Sequence, residues 1–434
     1  MLNYLRKIIP ERHPLRLFYH KIMGFLAAFF YGYPAKKMIV VGVTGTNGKT
    51  TTVNMITSIL NTAGYKTGMT STINFQILDK KWVNATKQTT LSPFQLQKLL
   101  KSMVKVGCTH AVVEVTSHAL DQSRVYGVDF DVAVITNVTA DHVEYHGDFN
   151  GYLNAKGELF RKVSKGRRKS NVKKVAVLNA DDRYYEFFNQ FPADRKISYG
   201  FKNATVRATD INKSASGSKF FLRMPNNSSE AKINLPGDFN IYNSLAAAAA
   251  CLALDVPTDK IVEGLAAKKG IKGRFEHVDC GQRFSVVVDY AHGPDSLESL
   301  LSLYRDLTPG KLFAVFGATG GGRDKLKRPQ MGEVAHKYAD YIILTDDDPY
   351  EEDEWFILDQ ISQGIPRKEG ESFWQITDRK EAIRLALTMA EEGDTVVVAG
   401  KGAEEIMKVR GKTIPWNDRK VIEGLLNREI KLHL

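Results

Sequence analysis

Cysteine is scarce in this sequence of 434 residues. There are three, Cys108, Cys251 and Cys280, far apart and odd in number. They suit neither a disulfide framework nor a CxxC metal site, so a reducing, cytoplasmic compartment is expected. Also missing is an uninterrupted apolar run of about 20 residues, the length a membrane-crossing helix needs. No repeat of solenoid period and no low-complexity tail occur, which excludes a solenoid, a collagen-like rod and a mostly disordered chain. What is there is 43% hydrophobic and 25% charged residues, the balance of a folded protein long enough for two or three domains. Sixty basic residues against 49 acidic ones leave a net charge of +11. That balance favours anionic partners without choosing among nucleotides, phosphosugars, nucleic acid and acidic membrane faces.

Residues 1–37 form an apolar and basic segment. The run at 17–33 is interrupted by His20, Lys21 and Gly24, with Lys7, Arg12, Arg16, Lys36 and Lys37 around it. It is too short and too charged to span a bilayer, and Pro34 with a strand-like run behind it does not suit a signal-peptide cleavage site. Two readings stand. One is a helix that packs its Phe- and Leu-rich face on the chain's own domain; the other is an interfacial helix held at an anionic membrane by its basic flanks.

From residue 38 the pattern alternates between strands and helices. Residues 38–43, 111–115, 132–136 and 174–178 read as buried strands, and 51–63, 93–106 and 152–163 as helices. The fold class is therefore α/β, with a mainly parallel sheet and helices on both faces. Residues 161–174 carry eight basic side chains and read as a solvated loop, so no nucleic-acid partner is expected. The polar stretch 200–234 reads as an irregular insertion or small β excursion. After Gly273 a second series begins, with strands at 284–289, 312–316, 341–345 and 395–399, giving a C-terminal Rossmann-like unit. The expected division is 1–37, 38–272 and 273–434.

The run Gly42-Val43-Thr44-Gly45-Thr46-Asn47-Gly48-Lys49-Thr50 joins a strand to a helix. Such a P-loop wraps backbone N–H groups around phosphates at a helix N-terminus. Lys49 would reach the β- and γ-phosphates, and the Thr50 hydroxyl would bind Mg²⁺. The first glycine of the usual spacing is Val43, with glycine one position earlier. Glu114 and Asn137 end the next two strands, at the edge where a doubly wound sheet binds ligands, so Glu114 would face metal and phosphates.

With these motifs the chain resembles the Mur ligase family, most closely its MurE-type members, which add the third amino acid of the peptidoglycan stem peptide. The match runs through residues 44–51, 114–124 (EVTSHALDQSR), 136–147 (TNVTADHVEYHG), 154–156, 235–243 (LPGDFNIYN), 273–276, 289–296 (DYAHGPDS), 320–329, 345–349 and 400–404. The resemblance implies a P-loop central domain, a C-terminal ligase domain and an ATP-dependent amide ligase. In that family a substrate carboxylate attacks the γ-phosphate of ATP to form an acyl phosphate, and an amine then displaces phosphate. It also implies two Mg²⁺ ions, one on Thr50 and Glu114, the other on Glu114, His142 and a carbamylated Lys156. Catalysis would fall to Lys49, Glu114, His142 and Lys156. ATP would be bound by Gly45, Thr46, Asn47, Gly48, Lys49, Thr50, Thr51, Asn137, Asn240, Arg274, Asp289 and His292, with closure of the domains excluding water.

For the acceptor the resemblance implies Thr89, Thr90, Thr116, Gln122 and Arg124, with Thr116 where serine is usual and Arg124 as the anion clamp. MurE-type ligases carry about ninety residues that hold the acceptor's UDP, whereas 37 residues precede the first strand here. The expectation is an acceptor gripped without that domain, or a lipid-linked acceptor. For the incoming amino acid it implies Arg323, Asp347, Asp348, Tyr350, Gly400 and Glu404. Diaminopimelate-adding members read Asp-Asn-Pro-Arg where this chain has Asp347-Asp348-Pro349-Tyr350. The bidentate donor is gone and an acid is added, which favours a basic side chain such as lysine or ornithine over diaminopimelate. The partners expected are small molecules and the state a monomer, with peripheral membrane contact through residues 1–37. Rival readings are amidation of a lipid-linked acceptor, polyglutamate-type elongation, or a non-catalytic ATP-binding scaffold. Three dispersed cysteines cannot make the four-cysteine zinc insertion usual in the amidating type, and an intact metal set argues against a scaffold.

Overall fold

A computed structural model describes residues 12–86, 88–139, 143–214, 216–225, 227–321 and 325–428. The chain divides into two compact units, Met1–Lys269 and Gly270–Leu434.

The phosphate-loop strand Ile39–Thr44 lies inside the 11-stranded sheet of the first unit. Its parallel neighbours are His110–Glu114 and Val132–Ile135. Thr67–Thr70 continues the parallel sheet on one side, and Val175–Asn179, Arg195–Gly200 and Val206–Ser214 continue it on the other. Antiparallel pairs extend both edges, Asn74–Ile77 with Lys80–Val83 and Gly217–Met224 with Asn227–Ile233. The inner strands are apolar throughout because helices cover both faces. On one face Leu96, Leu100, Leu159 and Phe160 pack on Ala111, Val113 and Ala133.

Two expectations change and one choice between readings is decided. Within 200–234, Val206–Ser214, Gly217–Met224 and Asn227–Ile233 are strands of the main sheet, the β excursion rather than the irregular insertion, and their polar composition belongs to the solvent side of edge strands. The basic stretch 161–174 is only partly a solvated loop, since it begins in helix Phe149–Lys165 and its Lys174 is buried. Lys174 donates to Asp131 Oδ1 at 2.9 Å, Lys169 to Oδ2 at 2.5 Å, and the same Oδ2 takes the N–H of Val40. Last, helix Pro14–Tyr31 packs through its small residues, not its Phe- and Leu-rich face. Gly24, Ala27 and Ala28 are buried, while Leu15, Phe18, Ile22, Phe25, Phe29 and Phe30 are exposed. Small side chains let this helix approach its neighbours closely, as a Cβ on Gly24 would lie 2.7 Å from Ser123 O and Tyr126 Cβ. Among the described residues no helix is long and apolar enough to cross a membrane.

The second unit has a six-stranded sheet in the order Glu276–His277, Ser285–Asp289, Thr395–Ala399, Leu312–Phe316, Tyr341–Leu344, Phe373–Gln375, parallel except for the first strand. Helices Pro294–Leu307, Lys327–Tyr338 and Glu354–Ser362 bury one face, and Arg379–Met389 with Asp418–Arg428 the other.

Candidate active site

The phosphate loop leaves the sheet at Thr44 and enters helix Lys49–Thr62 through Gly48, which has φ 81°. Two positions admit only glycine. A Cβ on Gly45 (φ 146°) would lie 1.8 Å from Thr136 Oγ1, and one on Gly48 would lie 2.1 Å from Asn243 Oδ1. The next strand end holds the loop's shape. Thr46 N donates to Asn137 O at 2.8 Å, Asn47 N to Asn137 Oδ1 at 2.9 Å, and Thr136 Oγ1 to Asn47 O at 2.6 Å. Thr51 is buried in the helix's first turn, and Asn240 is buried, donating to Pro236 O and accepting from Asn243.

Two lysines converge on this loop. Lys49 Nζ donates to Gly45 O at 3.0 Å and to Thr46 O at 2.7 Å. Lys156, buried on helix Phe149–Lys165, donates to the same Gly45 O at 2.7 Å and lies 4.3 Å from the Tyr152 ring centroid. Sharing one carbonyl brings the two nitrogens within about 6 Å, where two ammonium charges repel. The Tyr152 hydroxyl completes the arrangement at 2.9 Å from Thr46 Oγ1.

Glu114 is buried at the end of its strand. Its carboxylate accepts from Thr50 Oγ1 (2.9 and 3.0 Å), Thr72 N (2.8 Å) and Thr72 Oγ1 (2.9 Å). A hydroxyl and a carboxylate beside a phosphate loop make an all-oxygen set, which fits Mg²⁺ better than softer metals. Among the described residues no group of three His, Cys, Asp or Glu side chains gathers to hold a metal. An ion held with substrate phosphates needs no such protein cage.

The residues expected to bind the acceptor form one hydrogen-bonded chain beside Glu114. Thr89 Oγ1 accepts from Thr72, Thr90 Oγ1 donates to Glu114 O, and Thr116 N donates to Thr90 Oγ1. Arg124, the expected anion clamp, directs Nε and Nη2 to Gln122 Oε1 and Nη1 to Thr90 O, while Gln122 donates to Tyr145. His142 and Arg323 lie outside the described residues.

In the second unit the strand ends gather the other group. Asp289 is buried and accepts from Phe275 N and Ala291 N, both at 2.8 Å. Burial pushes its carboxyl above the usual range against the pull of Arg274 and these amides. The Arg274 guanidinium sits 4.8 Å from the Tyr290 ring centroid, and His292 Nδ1 is 2.9 Å from Tyr290 O. Asp347, Asp348 and Glu404 converge around a fully buried lysine. Lys401 Nζ lies 2.9 Å from Asp348 Oδ1, 2.5 Å from Glu404 Oε2 and 3.8 Å from Asp347 Oδ1. Burial opposes its charge, but Asp347, Glu404 and Asp348 together outweigh that and hold its pKa above the ordinary lysine value. Gly400, at φ 109°, leaves room for Asp347, whose Oδ2 would be 3.0 Å from an added Cβ. Tyr350 takes a left-handed φ of 57°, and its N–H donates to Lys408 O.

Sequence reasoning missed Thr72, Tyr152 and Lys401. Thr72 follows the end of strand Thr67–Thr70, the same signal that singled out Glu114, and Lys401 lies inside the Gly400–Glu404 block. Tyr152 had no such local signal.

Comparison with known proteins identifies both units. Residues 43–251 match the Mur ligase middle domain, and residues 273–402 match the Mur ligase, glutamate ligase domain. The chain is 42% identical over 415 residues to the UDP-N-acetylmuramoyl-L-alanyl-D-glutamate--2,6-diaminopimelate ligase of Bacillus licheniformis, covering 95% of this chain and 83% of that protein. It is 39% identical to the UDP-N-acetylmuramyl-tripeptide synthetase of Roseiflexus sp., covering 91% and 79%. A solved structure of a UDP-N-acetylmuramoyl-L-alanyl-D-glutamate--2,6-diaminopimelate ligase superposes with a TM-score of 0.61 at 33% identity, covering 90% of this chain and 79% of that one. The phosphate loop, the carboxylate beside it and these matches together show that the chain belongs to the Mur ligase family of ATP-dependent carbon–nitrogen ligases.

Proposed function

We propose that this protein joins a diamino acid to the carboxylate of a muramoyl-peptide acceptor in peptidoglycan-precursor synthesis, through an acyl phosphate. The observation that carries the reading is the buried Glu114 carboxylate bonded to Thr50 of the phosphate loop. Lys49 and the loop N–H groups grip the triphosphate; the acceptor carboxylate attacks the γ-phosphorus, ADP leaves, and the amine then displaces phosphate. Thr50 and Glu114 would hold one Mg²⁺, which would neutralise charge on the transferring phosphoryl group. His142 and Lys156 would join Glu114 at a second. Carbamylation of Lys156 would support that site: the ammonium gives up one proton, CO₂ adds to the free amine Nζ with loss of a second, and the cation that faces Lys49 becomes an anion. Asn137, Asn240 and Arg274 serve the nucleotide, with Asp289 and His292. Thr89, Thr90, Thr116, Gln122 and Arg124 serve the acceptor.

Arg323 takes the amino acid's α-carboxylate, and Asp347, Asp348, Tyr350, Gly400 and Glu404 frame its side chain. Three carboxylates converge on Lys401, more acids than this one shared lysine balances. With Tyr350 in the arginine's place, this favours lysine or ornithine over diaminopimelate. The enzyme acts as a cytoplasmic monomer, with residues 1–37 in peripheral contact with membrane.

The test is phosphate release with ATP, Mg²⁺ and a panel of lysine, ornithine and diaminopimelate, with UDP-linked and lipid-linked acceptors side by side. Release that needs both acceptor and amino acid is expected, fastest with a basic amino acid. Release independent of the amino acid would overturn the ligase reading; preference for diaminopimelate would overturn the pocket assignment alone. A carbamate signal from ¹³C-bicarbonate that vanishes in Lys156→Ala checks the modification.

A further inference from the structure

Helix Pro14–Tyr31 turns its apolar side outward. Leu15, Phe18, Ile22, Phe25, Phe29 and Phe30 are exposed, Phe29 at 69% and Phe30 at 71%. At about 100° per residue these six span roughly 140° of arc, directly opposite the buried Gly24, Ala27 and Ala28. The two cations of the helix stand at the borders of this stripe. Arg16 lies about 40° beyond Phe30 on one side and Lys21 about 40° beyond Phe25 on the other.

The surroundings repeat the pattern. The helix packs beside Pro93–Lys105, whose Lys98, Lys101 and Lys105 are exposed, and Lys101 reaches to 5.7 Å from the Tyr31 ring centroid. Lys36 and Lys37 are exposed just past the helix end. No Asp or Glu occurs from residue 12 to residue 78, and none in Pro93–Lys105.

We infer that this face docks on an anionic bilayer, the helix lying in the membrane plane. The rings enter the acyl boundary, while Arg16, Lys21, Lys36, Lys37 and Lys101 meet the lipid phosphates. Charge selects the occupant. A second copy would set the same cationic borders against each other, whereas acidic headgroups complement them at the depth where the apolar stripe is buried. This deepens the membrane-contact part of the proposal and is independent of the ligase reading.

The test sediments the full chain with vesicles of phosphatidylglycerol and phosphatidylcholine, or of phosphatidylcholine alone. Binding to the acidic vesicles, weakened by salt, is expected. Arg16→Gln/Lys21→Gln should bind about 25-fold more weakly, at about fivefold per cation. Phe18→Ser/Phe29→Ser/Phe30→Ser should abolish binding, with circular dichroism and ligation of a water-soluble acceptor unchanged. Three results would overturn the inference: no binding by the parent chain, equal binding by the triple variant, or a parent dimer that the triple variant dissolves without any vesicle binding. Loss of ligation in the parent itself bears on the ligase reading only.

Discussion

Lys401→Met tests the electrostatic core of the acidic cluster proposed to frame the incoming amino acid. The ammonium is fully buried, with Asp348 and Glu404 oxygens at 2.9 and 2.5 Å and Asp347 at 3.8 Å. Methionine keeps the volume but removes the cation that these three contacts share. Two carboxylates about 4 Å apart repel by about 4 kcal/mol at an effective dielectric constant near 20. Breaking one side of a buried ion pair costs about 3–5 kcal/mol. At about 2–4 °C per kcal/mol for a unit of this size, the melting transition of residues 270–434 should fall by roughly 10 °C. The loss has a pH signature. In the variant the folded carboxylates bind protons that the unfolded chain has released, so stability drops as pH rises. Scanning calorimetry should therefore show a gap from the parent that is small near pH 4.5 and full near pH 7.5. Adding Glu404→Gln should restore part of the stability near pH 7.5. A loss below about 1 kcal/mol, or one independent of pH, would refute the claim that Lys401 binds the three acids together.

Glu114→Gln replaces an acceptor-only carboxylate with an amide whose NH₂ faces the donors of Thr50 and Thr72. It should cost about 1–3 kcal/mol in stability and shift ATP-dependent phosphate release to much higher Mg²⁺, measured by titrating the metal. Gly48→Ala meets both a positive φ and the Asn243 side chain. Calorimetric titration should find ATP binding lost, with about 1–3 kcal/mol of strain in the fold. Burial, reinforced by Glu354 and opposed by Arg379 and Arg410, pushes the Asp346 carboxyl up to about 7. The folded chain then keeps a proton that the unfolded chain has lost, so this group's contribution fades as pH rises through 7. Urea unfolding of Asp346→Asn should show little change near pH 4 and a gain near pH 8.

The parallel sheets were legible because their inner strands are covered on both faces and read as unbroken apolar runs. Glu114 and Asn137 were legible by their position at strand ends. The strands Val206–Ser214, Gly217–Met224 and Asn227–Ile233 were legible only as one of two readings, since one face of each is wet and its Lys, Asn and Ser blur the pattern. The apolar run at 17–33 pointed to a helix but could not say which stripe would be buried. The neighbours' shape decided that, because only Gly24, Ala27 and Ala28 fit so close an approach.

Local chemistry alone determined the phosphate loop, the strand–helix alternation and the blocks shared with Mur ligases, since each rests on residues adjacent in the chain. The folded chain decided which groups share a charge or a carbonyl. Lys156 reaches Gly45 across 111 positions, and Lys401 reaches Asp348 across 53. Contacts of that separation arise from strand order and burial, which no local pattern encodes.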